Sequence, residues 1–203
     1  GRKCMLGLLI KDLFNTRKQA VWYVAMIILF SVLSVVMQNV AFCATLGILV
    51  TVSMPLTAVA YEEKDGWQKF IVASGMNMKV IVAEKYLLGL SFALLNSVAY
   101  SVVFSVIGTE AGAAEFISPI CMQFIALAVV LPIIFKFGVE KGRVYMIALI
   151  LILMVALIAL MPFIGDALAG NQAVFISCAV CATVIMFVAS FIISVRIYTK
   201  KEF

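Results

Sequence analysis

Two cysteines with the spacing of a redox motif are the first residues that could do chemistry. Cys178 and Cys181 form a C-x-x-C pair, which in other settings exchanges a disulfide or holds a metal. Here the pair lies in a long apolar stretch with a helical pattern, where cysteine usually behaves as a small hydrophobic side chain. Histidine, the commonest general base and metal ligand, is absent. The sequence therefore predicts no catalytic residues and no metal site, and the chain by itself is not expected to be an enzyme.

The nucleotide-binding signature of ATPases is also missing. No GxxxxGK[ST] occurs in the chain, so we expect no ATP bound through a P-loop and no other cofactor held by this chain. Asn96 and Gln123 are polar residues inside apolar stretches. They either hydrogen-bond one helix to another, which is the role we favour, or contact a substrate along a pathway through the membrane.

The composition predicts an integral membrane protein. Of the 203 residues, 66% are hydrophobic and 12% are charged, whereas soluble domains are about 25% charged. The length accommodates about six helical spans of roughly 20 residues with short loops. We therefore expect an all-α protein with a single six-span transmembrane domain over residues 1–203 and no nucleic-acid partner.

Uncharged stretches give the positions of the spans. No charged residue falls between Gln19 and Tyr61, and such a length must turn back at its only adjacent polar pair, Gln38–Asn39. The predicted spans are residues 20–37, 40–60, 86–107, 117–135, 144–163 and 173–195. None contains Asp, Glu, Lys or Arg, which argues against a proton-coupled or ion-coupled transporter.

The distribution of positive charge predicts the orientation. All 15 Lys and Arg residues fall at the two termini, after span two or after span four. The positive-inside rule then places both termini and these two loops in the cytoplasm. The tyrosines near the same boundary suit an interfacial aromatic belt, and they are Tyr23, Tyr61, Tyr86, Tyr145 and Tyr198.

The segment Tyr61–Tyr86 concentrates charge between two apolar spans, so we expect it to lie in water. It should form a short amphipathic helix, a tight turn at Gly75–Asn77 and a helix that enters the next span. Acidic residues would lie in the first turn, where the helix dipole favours negative charge. An apolar stripe follows at i, i+3, i+4 and i+7, formed by Trp67, Phe70, Ile71 and Ser74. The stripe either rests on lipid headgroups or fits a groove on a soluble partner.

Residues 2–18 combine basic residues with an apolar helix face. Leu6, Leu9, Ile10, Leu13 and Phe14 share that face, while Lys11 and Asp12 project elsewhere. This pattern predicts an N-terminal amphipathic helix that lies along the membrane surface.

Two charged segments carry a family resemblance. Residues 8–15 read LLIKDLFN and are followed by Arg17, and residues 61–67 read YEEKDGW and are followed by Lys69 and Phe70. They resemble the "LLxKDL" and "Y-(D/E)-E-K-x-x-W" segments of small six-span permease subunits of type-2 ATP-binding-cassette exporters from bacteria with a single membrane. One departure is Gly75, where such permeases often have proline.

The resemblance implies roles for these segments. The helix around Glu62–Ala73 would be a cytoplasmic coupling helix between spans two and three, docked in a cleft of a separately encoded ATPase that holds ATP and Mg²⁺. The implied interface residues are Glu62, Glu63, Lys64, Trp67, Phe70 and Ile71. The N-terminal helix, with Lys11, Asp12 and Phe14, would be an interfacial connecting helix. A second permease, identical or homologous, would complete a transporter in the bacterial cytoplasmic membrane.

The implied function is export of an amphipathic substrate by alternating access. A peptide toxin or antimicrobial peptide is favoured, because exporters of the phenol-soluble-modulin type are similar in size and charge pattern. An alternative from a different class is a membrane scaffold or immunity protein that transports nothing.

Overall fold

The computed structural model describes residues 2–66, 78–108, 113–170 and 172–200. Only the backbone is described at residues 2–15, 41, 114, 143, 146–147, 149–170, 172–173, 175 and 200. This part of the chain is helical, which confirms the all-α class for it. The helices are α1 (Arg2–Val36), α2 (Ala41–Lys64), α3 (Met78–Ile107), α4 (Ala113–Gly170) and α5 (Gln172–Lys200).

Five stretches within the described residues are long and apolar enough to cross a membrane. They are Thr16–Val36, Phe42–Lys64, Met78–Ile107, Glu115–Gly142 and Ile176–Thr199. Each overlaps one of the predicted spans. The remaining predicted span, residues 144–163, falls on the helical backbone of α4. Most of its side chains lie outside the described residues, so this span and the total of six stay predictions.

The first helix is continuous where the sequence predicted two. α1 runs from Arg2 to Val36 over 35 residues, about 52 Å at 1.5 Å per residue. The separation of a surface helix over residues 2–18 from a span over 20–37 is therefore wrong. The physical reason is that residues 16–20 contain no glycine or proline, and Arg, Lys, Gln and Ala are all strong helix formers.

The turn between α1 and α2 lies where the polar pair predicted it. Gln38 has a φ of +52°, and its side-chain Nε2 donates to the carbonyl of Val35 at 3.0 Å. The start of α2 receives a hydrogen-bond partner from α1, because Ser34 Oγ accepts from the amide of Cys43 at 2.9 Å. That bond satisfies one of the backbone N–H groups that every helix leaves unpaired at its beginning.

The core of the bundle forms around α2, which is the most buried of the five candidate spans and packs against α1, α3 and α4. One cluster of buried side chains joins α2, α3, α4 and α5 near the Lys64 end of α2. It includes Val59, Ile81, Leu127, Leu131 and Ile134. The outward faces of α1, α3 and α5 carry exposed large apolar residues such as Trp22, Val98 and Ile185, as expected for surfaces that meet lipid.

The described ends of the segment Tyr61–Tyr86 are mostly helical, and they contain both exposed and buried charged residues. α2 continues through Lys64, so Glu62, Glu63 and Lys64 end one long helix and do not begin a new one. α3 begins at Met78, as predicted for the helix that enters the next span after a turn at Gly75–Asn77. The prediction of a helix starting at Glu62 is wrong, and the prediction that the segment lies in water is wrong for the buried residues Glu62, Glu84 and Lys85. The predicted turn Gly75–Asn77 lies outside the described residues.

Candidate functional site

A buried ion-paired cluster joins the ends of α2 and α3. Lys85 Nζ lies 2.8 Å from Glu62 Oε1 and 3.2 Å from Glu84 Oε2, and none of the three side chains is more than 5% exposed. Charged groups remain buried only when they are paired, because removal from water costs several kcal/mol per ion. Two carboxylates therefore share one ammonium group, and the contact holds α2 against α3.

Tyr198 places α5 beside the cluster of Glu62, Glu84 and Lys85. Its side chain is buried and lies within electrostatic range of Glu62, Glu84 and Lys85. The ring packs edge-on against Phe135 of α4, with 5.4 Å between the ring centroids. The cluster therefore lies where four helices meet, α2, α3, α4 and α5.

The neighbouring carboxylate reaches α4. Glu63 Oε2 accepts a hydrogen bond from the backbone N–H of Val139 at 3.0 Å. This amide follows Gly138, whose φ of 77° and ψ of 175° interrupt the helical backbone of α4. The last turn of α2 thus holds α3 through Glu62 and α4 through Glu63.

The ion pairs and the hydrogen bond of this cluster hold helices to one another. Its carboxylates face an ammonium group or a backbone amide. Within the described residues, no group of three or more Cys, Asp or Glu side chains could hold a metal ion. The arrangement fixes the relative positions of helix ends at one end of the bundle.

The predicted partner-interface residues divide into two sets. Glu62 and Glu63 contact α3 and α4 of the same chain, whereas Lys64 is exposed. The apolar members of the predicted interface, Trp67, Phe70 and Ile71, lie outside the described residues. Their docking role stays a prediction.

The three residues of the predicted interfacial connecting helix are on α1. The helical backbone includes Lys11, Asp12 and Phe14, but their side chains are outside the described part of the chain. Their interfacial role therefore stays a prediction.

The polar pair in the membrane region forms a hydrogen-bonded network between α3 and α4. Asn96 Nδ2 donates to Gln123 Oε1 at 3.1 Å, and Gln123 Nε2 donates to the carbonyl of Ala93 at 3.3 Å and also to Ser97 Oγ. Asn96 and Gln123 are both buried. The favoured role of joining two helices is thus present in the structure, while substrate contact by these residues stays a prediction.

This network also fits closely against α2. A Cβ atom placed on Gly47 would lie 1.7 Å from Asn96 Nδ2. Only a residue without a side chain allows Asn96 to occupy this position. The close approach therefore ties α2 to the α3–α4 network.

Tyr86 forms a second hydrogen-bonded connection, where the sequence suggested only a place in an aromatic belt. Its hydroxyl lies 2.6 Å from Ser190 Oγ and 2.8 Å from Ser194 Oγ on α5. Ser190 in turn donates to the carbonyl of Ala128 on α4. Tyr86 is buried between α3, α4 and α5, so its belt assignment is wrong, and the same holds for buried Tyr198.

An apolar cavity of about 370 Å³ lies between α3, α4 and α5. Its lining is almost entirely aliphatic and aromatic: Leu90, Ile117, Ile120, Cys121, Phe124, Val180, Thr183, Val184, Phe187 and Val188. Thr183 donates its hydroxyl to the carbonyl of Ala179 within its own helix. The walls therefore favour an apolar occupant.

The C-x-x-C cysteines do not pair with each other. Cys178 and Cys181 are both free thiols on the exposed face of α5. They lie among apolar neighbours such as Val180 and Val184, which agrees with their interpretation as small hydrophobic side chains.

One comparison with known proteins finds a match. A family model described as "ABC-2 family transporter protein" matches residues 7–199, which include all five candidate spans. No curated protein and no solved structure shows significant similarity to the chain.

Proposed function

This chain belongs to the ABC-2 family of transporter proteins, and from that premise we propose that it exports an amphipathic substrate from a bacterial cell. Family membership makes the chain a multi-pass permease subunit of an ABC transporter rather than the subunit that hydrolyses ATP. The substrate we favour is a peptide toxin or an antimicrobial peptide. A separate ABC ATPase would bind ATP and Mg²⁺ and supply the energy.

The observation that supports a coupling role for the segment after α2 is that the end of α2 is fixed to its neighbours. Glu62 and Glu63 hold it to α3 and α4, and the next residues, Lys64 and Asp65, are exposed. The chain then continues into residues 67–77, which contain Trp67 and Phe70. A segment that directly follows a fixed helix end is suited to transmit force to the bundle. We propose that residues 67–77 dock in a cleft of the ATPase.

The orientation follows from charge. All 15 Lys and Arg residues fall at the termini and in the segments after spans two and four, and basic residues are retained on the cytoplasmic side. Both termini and residues 65–77 would therefore lie in the cytoplasm, on the side where ATP is available.

The proposed substrate class agrees with the apolar lining of the bundle. The cavity of about 370 Å³ offers aliphatic and aromatic walls between α3, α4 and α5. An amphipathic peptide has an apolar face that such walls accommodate, whereas a small ion needs oppositely charged or carbonyl ligands. One chain is also too small to enclose a pathway alone, so two permease copies, identical or homologous, would line it together.

The test of the docking role is the double variant Trp67→Ala, Phe70→Ala, purified with its ATPase and reconstituted in lipid. Anchor residues of a small interface contribute about 2 kcal/mol or more each, so loss of both should weaken assembly by about a thousandfold. The measurement is the amount of ATPase retained and its stimulation by substrate.

A matched control uses two aromatic residues that face outward from the bundle. Trp22 is 73% exposed on α1 and Phe42 is 44% exposed on α2, so Trp22→Ala, Phe42→Ala removes the same side-chain types from a lipid-facing surface. The control should retain the ATPase. Full retention by the Trp67 and Phe70 double variant would contradict docking, and a wild-type chain that never retains an ATPase would favour a scaffold or immunity protein.

A further inference from the structure

We propose that the apolar groove between α3, α4 and α5 binds an acyl chain of a membrane phospholipid. This groove is the cavity of about 370 Å³ whose walls come from the three helices. The inference goes beyond the proposed function, because it concerns what fills the groove when no substrate is present. It depends neither on the ATPase nor on the identity of the substrate.

The groove lies within the membrane-spanning part of the bundle. Its lining residues fall inside three of the candidate spans: Met78–Ile107, Glu115–Gly142 and Ile176–Thr199. On α4 and α5 they occupy residues 117–124 and 180–188, whereas the basic residues of these two spans lie toward their other ends. With basic residues on the cytoplasmic side, the groove opens in the outer half of the bilayer.

The groove is open to the surroundings of the bundle along α5. Val180, Val184 and Val188 recur every four residues, so they lie on one face of this helix. All three line the groove and are between 41% and 57% exposed. An apolar side chain this exposed on a membrane-spanning helix meets lipid, so a lipid chain can enter the groove sideways from the hydrocarbon.

The described walls are complementary to hydrocarbon and to little else. They carry no charge, and their two polar side chains are Cys121 and Thr183. The Thr183 hydroxyl donates to the carbonyl of Ala179 at 2.8 Å, and a thiol is only a weak donor. A ligand with polar groups would lose hydrogen bonds on entry, and apolar cavities of this kind do not hold water.

The size of the groove favours an acyl chain over a piece of protein. One helical turn with its side chains, about 10 Å wide and 5.4 Å long, occupies roughly 400 Å³ or more, so a helix does not fit. A non-helical backbone would leave unpaired N–H and C=O groups in hydrocarbon. A cavity of about 150 Å³ already holds benzene, so a single phenyl ring from a partner chain would leave more than half of the groove empty.

One wall of the groove is fixed before anything binds. The Phe187 ring packs edge-on against Tyr86 and Phe124, with centroid distances of 5.4 Å and 6.4 Å. The Tyr86 hydroxyl is itself held by Ser190 and Ser194. A wall that is already ordered lowers the entropic cost of binding a flexible chain.

The first test weighs the full chain by native mass spectrometry after extraction in mild detergent and removal of bulk lipid. The wild type should retain a phospholipid. Cys121→Phe places a phenyl ring in the groove and should weaken retention at least about tenfold, because exclusion of about two methylene groups suffices for that factor. Should Cys121→Phe fail to fold, Val180→Phe obstructs the groove from its exposed rim on α5.

The matched control is Cys178→Phe. Cys178 is exposed on α5 and lies outside the lining of the groove, so the same substitution adds a ring to the lipid-facing surface alone. This variant should retain the phospholipid like the wild type. Equal loss in Cys178→Phe, full retention in both groove variants, or a retained peptide in place of a phospholipid would overturn the proposal.

The second test identifies which part of the lipid occupies the groove. A phospholipid with a photoactivatable group near the end of its acyl chain is added to the delipidated chain. It should cross-link residues 117–124 and 180–188 more strongly than the exposed face of α3 at Leu94 and Val98, and Cys121→Phe should remove the difference. Equal labelling of both regions in the wild type would show contact with bulk lipid only. A dimer that excludes the photoactivatable lipid and dissociates in Cys121→Phe would assign the groove to a second copy of the chain. Either result would overturn the proposal and leave the ATPase-docking test unaffected.

Discussion

Lys85 and Glu62 are 23 residues apart in sequence, and their side chains meet at 2.8 Å inside the helix bundle. The pair lies at the point where α2 ends and where α3 has completed its first turns. Its burial means that the two helices are joined at this end. The last turn of α2 and the first turns of α3 are therefore held at a fixed separation.

Replacement of Lys85 by methionine should strongly destabilise the folded chain. Removal of one partner from a buried ion pair costs about 3–5 kcal/mol, because the remaining charge stays buried without its counter-ion. In this cluster both Glu62 and Glu84 would lose the ammonium group. The measurement is the apparent melting temperature of the purified protein in lipid nanodiscs, which should fall markedly.

The control and the double variant make this prediction specific. Lys141 is exposed, so Lys141→Met should change stability by no more than about 0.5 kcal/mol. Adding Glu62→Gln to Lys85→Met should cost less than the sum of the two single changes, because the residues are in direct contact. Strict additivity would show that the pair contributes no coupling energy.

Replacement of Tyr86 by phenylalanine should also destabilise the bundle, but by less. Because Ser190 donates to the carbonyl of Ala128, Tyr86 donates to Ser190 and accepts from Ser194. Loss of the hydroxyl leaves buried polar groups unsatisfied, at a cost of about 1–3 kcal/mol.

The matched control for Tyr86 is Tyr145→Phe, since Tyr145 is 48% exposed whereas Tyr86 is buried. Thermal unfolding of the two variants should separate them clearly. Equal stability would mean that Ser190 and Ser194 find other partners at no cost.

Much of the helical layout could be predicted because hydropathy is a strong local signal. The uncharged run from Gln19 to Tyr61 required a turn, and Gln38–Asn39 was the only adjacent polar pair that could provide it. A role for Asn96 and Gln123 in hydrogen-bonding one helix to another was likewise favoured, because polar groups inside a membrane need partners; that they bond to each other is seen only in the structure.

The burial of Glu62, Glu84 and Lys85 could not be predicted from charge alone, because charged residues usually indicate a solvent-exposed position. Periodicity contained the missing signal, since Met54, Ala58 and Glu62 recur every four residues and are all buried. Extending the helical stripe beyond Tyr61 would have placed Glu62 inside the bundle. The contact of Glu63 with Val139 had no comparable signal, because it depends on the backbone break at Gly138 and links residues that are far apart in sequence.

Replacement of Gly47 by alanine should disturb the network around Asn96. The added Cβ would lie 1.7 Å from Asn96 Nδ2, so the amide must move and its bond to Gln123 must lengthen or break. Overpacking of this kind typically costs about 1–3 kcal/mol. The measurement is thermal unfolding of the chain in nanodiscs.

A second substitution tests the cause of the Gly47 effect. Asn96→Ala removes the obstructing side chain, so the cost of Gly47→Ala should be smaller in the Asn96→Ala background than in the wild type. An undiminished cost would mean that the effect arises from the backbone of α2 and not from the contact with Asn96.

The last prediction concerns which end of the bundle faces the cytoplasm. Single cysteines would be introduced into a chain whose five native cysteines have been replaced. The positions are exposed in the structure: Asn39, Asp65, Ala113 and Lys141. An impermeant thiol reagent added outside intact cells should label Asn39→Cys and Ala113→Cys. Asp65→Cys and Lys141→Cys should react only after the membrane is opened, because the basic segments lie inside.

The four positions also test the topology of the bundle. Asn39 follows α1, Asp65 follows α2, Ala113 begins α4 and Lys141 follows the break at Gly138, so accessibility must alternate along the chain if each helix crosses the membrane once. Exchange of the two labelling patterns would invert the orientation and place residues 67–77 outside the cell. There they would find no ATPase, and the proposed docking could not occur.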